Sequence, residues 1–412
     1  MVDFKLRDKC SVNTNWNADT FVGIKCEKGD YSIHFPLGFH VSDTDKELRK
    51  DILLLLNAIK ETTMKKESET YSDFRTYSQL DFPFQAFLAV IYDYYNRGYY
   101  REQEMIYNTS KRGKIDWNRT IKTQKPSMQE GQAFYLEFVT KRNSIKENEL
   151  ITLIHEYCVY DSFEKIGWLF TDKLPTRPRL KFNYKLFKSV IREKLSRTFN
   201  DKNKKLFRNM LAIIDYEGEE NDHRKYIYGT NRFEYVWEMM INQVFGIRDK
   251  ERFFPKTKWR LEREYSNANL EPDSIMLYND KIYILDAKYY KFGQTGLPWD
   301  LPESTAINKQ ITYGEYVAES KKFDKEFGKD RIVYNAFIMP YDSRNQKWNS
   351  GSNIISIGDA VSDWKTGEKI YEHVQGILVD VKYLMLLGMS SNKEEIKKMA
   401  NCIEDSVERM QG

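Results

Sequence analysis

The sequence predicts a mixed α+β chain ending in an α/β domain, and three observations lead there. From residue 231 onward, short apolar strands alternate with helical runs, the pattern of a sheet flanked by helices. Upstream, residues 103–142 are rich in β-formers, and 182–216 carries two amphipathic helical runs. The length, 412 residues, is enough for two or three domains with sizeable cores. The expected organisation is a region with β-hairpins and helices over 1–175, a helical connector over 176–225, and the α/β domain over 226–412.

In chain order, TFVGIKCEKGDYSIHFP (20–36) gives two strands around a turn at Lys28-Gly29-Asp30, ended by Pro36-Leu37-Gly38. A helix follows from Thr44, with Leu48, Ile52, Leu55, Leu56 and Ile59 at helical spacing and Asp45 and Glu47 at its positive end. The polar run Lys65–Gln79 reads as an exposed loop, and PFQAFLAVIYDYYNRG as a buried helix stopping near Gly98.

Residues 103–142 read as exposed strands. Within them SKRGKIDWNRTIKTQK carries Lys111, Arg112, Lys114, Arg119, Lys122 and Lys125 around Trp117. Such interleaving suits contact with phosphates or with a protein; a solvated edge hairpin guarded by lysines is the plain alternative. Asn143–Phe170 reads as helical, with His155 among apolar neighbours as a core histidine. The two prolines of Thr171–Lys181 mark a linker. In the helical run 182–200, Leu186, Val190, Ile191 and Leu195 form the expected apolar face. The opposite basic face is ordinarily a solvated one. Glu217–Thr230 is polar and reads as a second boundary.

The α/β region opens with the helix FEYVWEMMINQVFG, whose stripe is Phe233, Val236, Trp237, Met240, Ile241 and Val244. Glu234 and Glu238 lie along one edge of that stripe, where carboxylates are costly unless paired. A strand over Trp259–Tyr265 precedes LEPDSIMLYNDKIYILDAKYY (270–290), a β-hairpin turning at Asn279-Asp280. With that turn Tyr278 faces Lys281, and counting back sets Asp273 opposite Asp286. Facing Cβ atoms lie roughly 4.5–5.5 Å apart, so two carboxylates there need a cation. Lys288 projects on the same side as Asp286. A bare D-x-K at a strand end is common by chance. The facing aspartates, Pro272 and the apolar run Ile282–Leu285 give this one its meaning. A Gly/Pro-rich loop, a helix from near Ser304, the strands IVYNAFIMP and NIISIG, and the strand-to-helix run GILVDVKYLMLLG complete the domain.

Composition narrows the function. Charged residues make up 31% with a net charge of only +4, so no global basic footprint announces nucleic acid, although a cleft can be locally basic. Aromatics reach 15%, chiefly for core packing. Cys10, Cys26, Cys158 and Cys402 are scattered without metal-site spacing and read as reduced thiols. The five histidines form no triad or H-E-x-x-H. No apolar leader or run approaching about 18 apolar residues is present, which points to a cytoplasmic protein. No P-loop is present, so nucleotide hydrolysis is not expected of this chain.

Pro272-Asp273 followed by Asp286-Ala287-Lys288 resembles the PD-(D/E)XK nuclease motif. The resemblance implies a restriction-endonuclease-like α/β domain in which two carboxylates bind Mg²⁺ through hard oxygen ligands. The metal would activate water and polarise phosphate, with Lys288 orienting the water or stabilising developing charge. It also implies a helix carboxylate as a further metal ligand, Glu238 first and Glu234 second. Gln310 and Tyr313 resemble the Gln/Tyr pair of RecB-like nucleases, at a different spacing and with no role assigned.

With TFVGIKCEKGDYSIHFPLG and RGKIDWNRTIK upstream, the chain is similar to the nuclease subunit of LlaJI-type restriction systems, itself McrC-like. That implies an amino-terminal β-containing arm, double-stranded DNA as substrate, and an McrB-like AAA+ GTPase partner. A stand-alone Type II enzyme with its own sequence-reading amino-terminal domain is the second reading. A partner-binding scaffold without catalysis is the third, disfavoured because such a descendant has no physical reason to keep a repulsive aspartate pair beside a lysine.

Overall fold

The computed structural model describes residues 6–13, 20–27, 30–64, 78–79, 82–146, 149–171, 173–219, 225–266, 270–348, 351–388 and 392–411. The fold is mixed α/β with several small sheets. Two compact units form, one from Met1–Asp81 with Arg224–Gly412, the other from Phe82–His223.

The first unit begins with β1 (Cys10–Val12), β2 (Val22–Glu27) and β3 (Asp30–Phe35), then helix α1 (Asp45–Met64) and the short β4 (Ser78–Gln79). All five apolar positions expected on α1 are buried. Lys28 and Gly29 of the expected turn, and Lys65–Tyr77 of the expected loop, lie outside the described residues.

The second unit opens with α2 (Phe84–Arg97), which stops at Gly98 with φ 71°. Gly98 N–H donates to Tyr94 O, and the left-handed backbone there suits glycine. Next come β5 (Glu102–Thr109), β6 (Lys114–Ile115), α3 (Trp117–Thr123), β7 (Ser127–Gln129), β8 (Gln132–Phe134) and β9 (Val139–Lys146). They form a three-stranded sheet in the order β5-β9-β6 and a separate β7–β8 hairpin. Within the basic run, Lys114–Ile115 is a strand as expected, whereas Trp117–Thr123 is a short helix. The Asp116 side chain accepts the Arg119 N–H at 3.1 Å and starts the helix there.

Helix α4 (Leu150–Ile166) begins later than the expected helical run, because Asn143–Lys146 pairs into β9. His155 is fully buried with Nδ1 accepting from Tyr100 N–H at 2.8 Å, and burial lowers its pKa to about 4. It is a core histidine. Helices α5 (Tyr184–Arg197) and α6 (Asp201–Glu217) are capped by Asn183 and Asn200. The buried positions of α5 are Phe187 and Ile191, whereas Leu186 is exposed. Ile191 is buried as expected, and Leu186 gives way to Phe187, which takes the inward seat one position on.

The chain re-enters the first unit through β10 (Lys225–Thr230), followed by α7 (Phe233–Phe245), β11 (Lys258–Arg260), β12 (Glu264–Ser266), β13 (Ser274–Tyr278) and β14 (Lys281–Ala287). Then come α8 (Ser304–Glu319), β15 (Val333–Tyr341), β16 (Ile354–Ala360), β17 (Val374–Asp380), α9 (Val381–Leu386) and α10 (Lys393–Gln411). Two sequence readings change here. Trp259–Tyr265 is a two-stranded hairpin, β11–β12, instead of one strand. The supposed boundary at 217–230 contains β10, which pairs antiparallel with β2 from Lys225↔Glu27 to Thr230↔Val22. Residues 220–224 lie outside the described residues.

That pairing places the amino-terminal strands in one unit with the chain from Arg224 onward. A sheet in the order β1-β3-β2-β10-β4 joins the amino-terminal strands to the strand leading into α7. Gly23 and Gly229 face each other there, and a Cβ on Gly229 would meet Val22 O at 2.3 Å. Only glycine allows that approach.

The second sheet of this unit has the order β13-β14-β15-β17-β16, parallel in its middle and antiparallel at both edges. Ile282 and Ile284 of β14 pack with Tyr313 and Val317 of α8 on one face. From the opposite face Tyr283 reaches Glu404 of α10 through its hydroxyl. Alternation along β14 thus gives each face its own helix.

Candidate active site

The β13–β14 hairpin turns through Asn279 (φ 47°) and Asp280 (φ 60°). Two consecutive left-handed residues make a type I′ turn, whose twist matches the flanking strands. The register runs from Tyr278↔Lys281 to Ser274↔Leu285. One step further, Asp273 comes opposite Asp286. The Asp273 carboxylate accepts the Ala287 N–H at 2.7 Å, and its carbonyl accepts from Lys250 Nζ at 2.5 Å.

Lys288 lies two residues beyond Asp286 on the same side and ion-pairs with it. Its backbone N–H donates to Ile338 O at 2.8 Å, extending the parallel β14–β15 ladder. The same carbonyl accepts Trp237 Nε1 at 3.1 Å. A fully buried indole thus pins α7 to the point that fixes the Lys288 backbone, and the next residue on α7 is Glu238.

The electrostatics bind these groups together. Burial, then repulsion from Asp286 and Glu234, pushes the Glu238 carboxyl up to about 7 against the pull of Lys288 and Lys250. Burial, then Asp286 and Glu238, holds Asp273 well above the usual carboxylate range. Burial works against the charge on Lys288, but Asp286 and Asp273 overcome it and raise its pKa. On Lys250 burial wins and lowers it. These are the linked shifts of like charges sharing a partly dry site.

Asp273, Asp286, Lys288 and Glu238 therefore share one electrostatic neighbourhood. Glu234 is engaged by Arg232 instead. Among the described residues, no group of three His, Cys, Asp or Glu side chains is set to hold a metal ion as it stands. Asp286 is turned to Lys288, and Asp273 to the Ala287 amide.

Two further residues join the site. Lys250 had no signal in sequence, since it sits in an ordinary charged run. The sequence assigns Tyr313 no role; its hydroxyl is buried with no hydrogen-bond partner among the described residues. Burial, then Asp286 and Asp273, raises its pKa. Gln310, three residues earlier on α8, donates from Nε2 to Ile284 O at 2.8 Å and so fastens the helix to β14.

Comparison with known proteins gives consistent relatives. The chain is 27% identical over 261 residues to the Type II restriction enzyme BsuMI component YdjA of Bacillus subtilis (strain 168). That match covers 59% of this chain and 55% of the relative, so the chain spans about half the length of that protein. Among solved structures, a chain of the half-complex from the tetradecameric assembly of Thermococcus gammatolerans McrB AAA+ hexamers with bound McrC aligns at 12% identity. The alignment covers 94% of this chain and 82% of that one, with a TM-score of 0.35, too loose to fix a shared fold. The family model described as LlaJI restriction endonuclease matches residues 21–355, most of the chain. The protein belongs to the LlaJI restriction endonuclease family.

Proposed function

We propose that this chain is the Mg²⁺-dependent DNA endonuclease subunit of a phage-defence restriction system, with a PD-(D/E)XK site. Asp273, Asp286 and Glu238 would hold the metal, and Lys288 would act beside it. The observation that carries the proposal is the juxtaposition across a type I′ hairpin of two aspartates, with Lys288 paired to one of them. The donor set fits: all three ligands are hard carboxylate oxygens, and a raised Glu238 and Asp273 are what a divalent cation would relieve.

When bound, Mg²⁺ would supply Lewis-acid polarisation of the phosphate and a more acidic water. The chain's own groups do the rest. Asp286 and Asp273 fix the position of positive charge at the mouth of the hairpin. Lys288, released from Asp286, would orient the water and neutralise developing charge on the phosphate. Trp237 holds Glu238 in range by anchoring α7 to Ile338 O.

The cooperating partner would be an McrB-like AAA+ GTPase, since this chain carries no P-loop of its own. A cleavage assay on double-stranded DNA tests both parts, with and without such a motor and GTP, in Mg²⁺ or EDTA. Cutting that needs Mg²⁺ and the motor, and that Asp286→Ala abolishes while the fold survives, supports the reading. Undiminished cutting by Asp286→Ala places the site elsewhere. Cutting of a fixed sequence by the chain alone supports the stand-alone Type II reading. No cutting under any of these conditions supports the scaffold.

A further inference from the structure

Every residue of the hairpin from Lys256 to Ser266 is exposed. Trp259 and Tyr265 face each other across it at 62% and 57% exposure, and Leu261 at the tip is 68% exposed. Water is a poor neighbour for such an aromatic pair, and among the described residues neither ring is part of the first unit's core. The charge is uneven as well. Lys258 is taken by Glu264 at 2.9 Å, whereas Lys256, Arg260 and Arg263 have no ion-pair partner among the described residues. Glu262 is the one acidic residue of the hairpin outside that pair.

The foot of the hairpin rests on the strands that carry the aspartates. Leu270 N–H donates to Pro255 O at 3.1 Å and closes its foot. Phe253 and Leu270 pack with Ile275, Ile282 and Ile284 of β13 and β14. Lys250 reaches Asp273 O from the segment that enters it. At about 3.3 Å per residue, Lys256 to Arg260 projects roughly 13 Å. A two-stranded ribbon of that kind fits the major groove of B-DNA, about 12 Å wide.

We propose that β11–β12 is a β-ribbon that grips duplex DNA in a groove flanking the scissile phosphate. Arg260 and Arg263 contact phosphates, and the Trp259–Tyr265 face lies against sugars and base edges. This rests on the nuclease reading above and specifies how that site would hold its substrate. The free guanidinium charge matches a polyanion, and the exposed aromatic face has what nucleotides offer on their apolar sides.

The test is binding of a fluorescent duplex by the full-length chain without divalent metal, across a salt series. Arg260→Ala/Arg263→Ala leaves the Trp259–Tyr265 pair, and so the ribbon, intact. It is expected to weaken binding about tenfold and to flatten the salt slope by close to two, at about 0.9 per phosphate contact. Trp259→Ala/Tyr265→Ala is expected to weaken binding with the salt slope unchanged. Asp286→Asn is expected to bind like the parent and not cut. With Mg²⁺ added, undiminished cutting by Asp286→Asn would place the nuclease site elsewhere, whatever the ribbon does. Unchanged affinity and slope in the arginine variant would overturn the ribbon proposal and leave the nuclease reading standing, as would absence of duplex binding by the parent. Loss of a protein partner by the ribbon variants with DNA binding intact would also overturn it, and would make the hairpin a protein-docking strip.

Discussion

Replacing Lys288 by methionine keeps most of the stem and removes the ammonium. In the metal-free protein that ammonium is the counter-charge directly paired to Asp286, which is only 7% exposed and faces Asp273. Removing one partner of a buried ion pair ordinarily costs about 3–5 kcal/mol. The Lys288 side chain is 22% exposed, so water softens the loss, and about 2–3 kcal/mol is expected here. For a unit of this size that lowers Tm by roughly 4–5 °C. The assay is thermal and urea unfolding in EDTA of the parent, Lys288→Met, Asp286→Asn and the double variant. The double variant should recover most of the loss, because the orphaned charge has gone with its partner. Mg²⁺ should restore part of the stability of Lys288→Met and none of that of the double variant. A Lys288→Met protein as stable as the parent in EDTA would refute the reasoning, since the acidic groups would then need no cation.

Three more outcomes follow from the structure. Glu238→Gln should cut cleavage by at least about a hundredfold, the scale of losing one preorganised charged group, while Glu234→Gln stays near the parent in the same assay; the reverse order would make Glu234 the working carboxylate of α7. His373 donates to Asp359 at 2.6 Å and to Gly367 O at 2.8 Å, and although burial opposes its charge, those acceptors raise its pKa above 6.5. A raised base stabilises the fold below its unfolded pKa and loses that contribution as pH climbs through the folded value; urea midpoints of His373→Gln and the parent should therefore differ most below pH 6.5 and draw together as pH rises above it, and a pH-independent difference would refute this. In the second unit, Lys165 lies between Asp161 and Glu217, each at 2.7 Å, with all three side chains at most 11% exposed. Lys165→Met should destabilise that unit by about 3–5 kcal/mol, read by urea denaturation, and near-parent stability would show that the two carboxyls accommodate each other.

The sequence carried local structure well wherever a side-chain pattern and a turn were enough. Asn279-Asp280 between β-rich runs specified a two-residue turn, and the turn set the register that brings Asp273 opposite Asp286. Lys288 followed from alternation, and the buried stripe of α7 from helical spacing. Where a cap competes with β-propensity the reading failed, as at Asp116, whose side chain starts a helix in a run that otherwise looks like strand. It failed again at Leu186, where one aromatic neighbour shifted the buried face of α5.

By itself, then, the sequence determined the hairpin, its register and the side on which each charged residue projects, because these depend on residues a few positions apart. Only the tertiary structure decided that β10 completes a sheet with β2, that Lys250 caps the Asp273 carbonyl, and that Tyr313 lies near the acidic pair. It also decided that Asp286 rests on Lys288 and, among the described residues, closes no ready-made cage of carboxylates. Any extended edge offers the same backbone donors and acceptors, and any lysine can reach several carbonyls. Which of these meet is settled by how the whole chain buries its apolar surface.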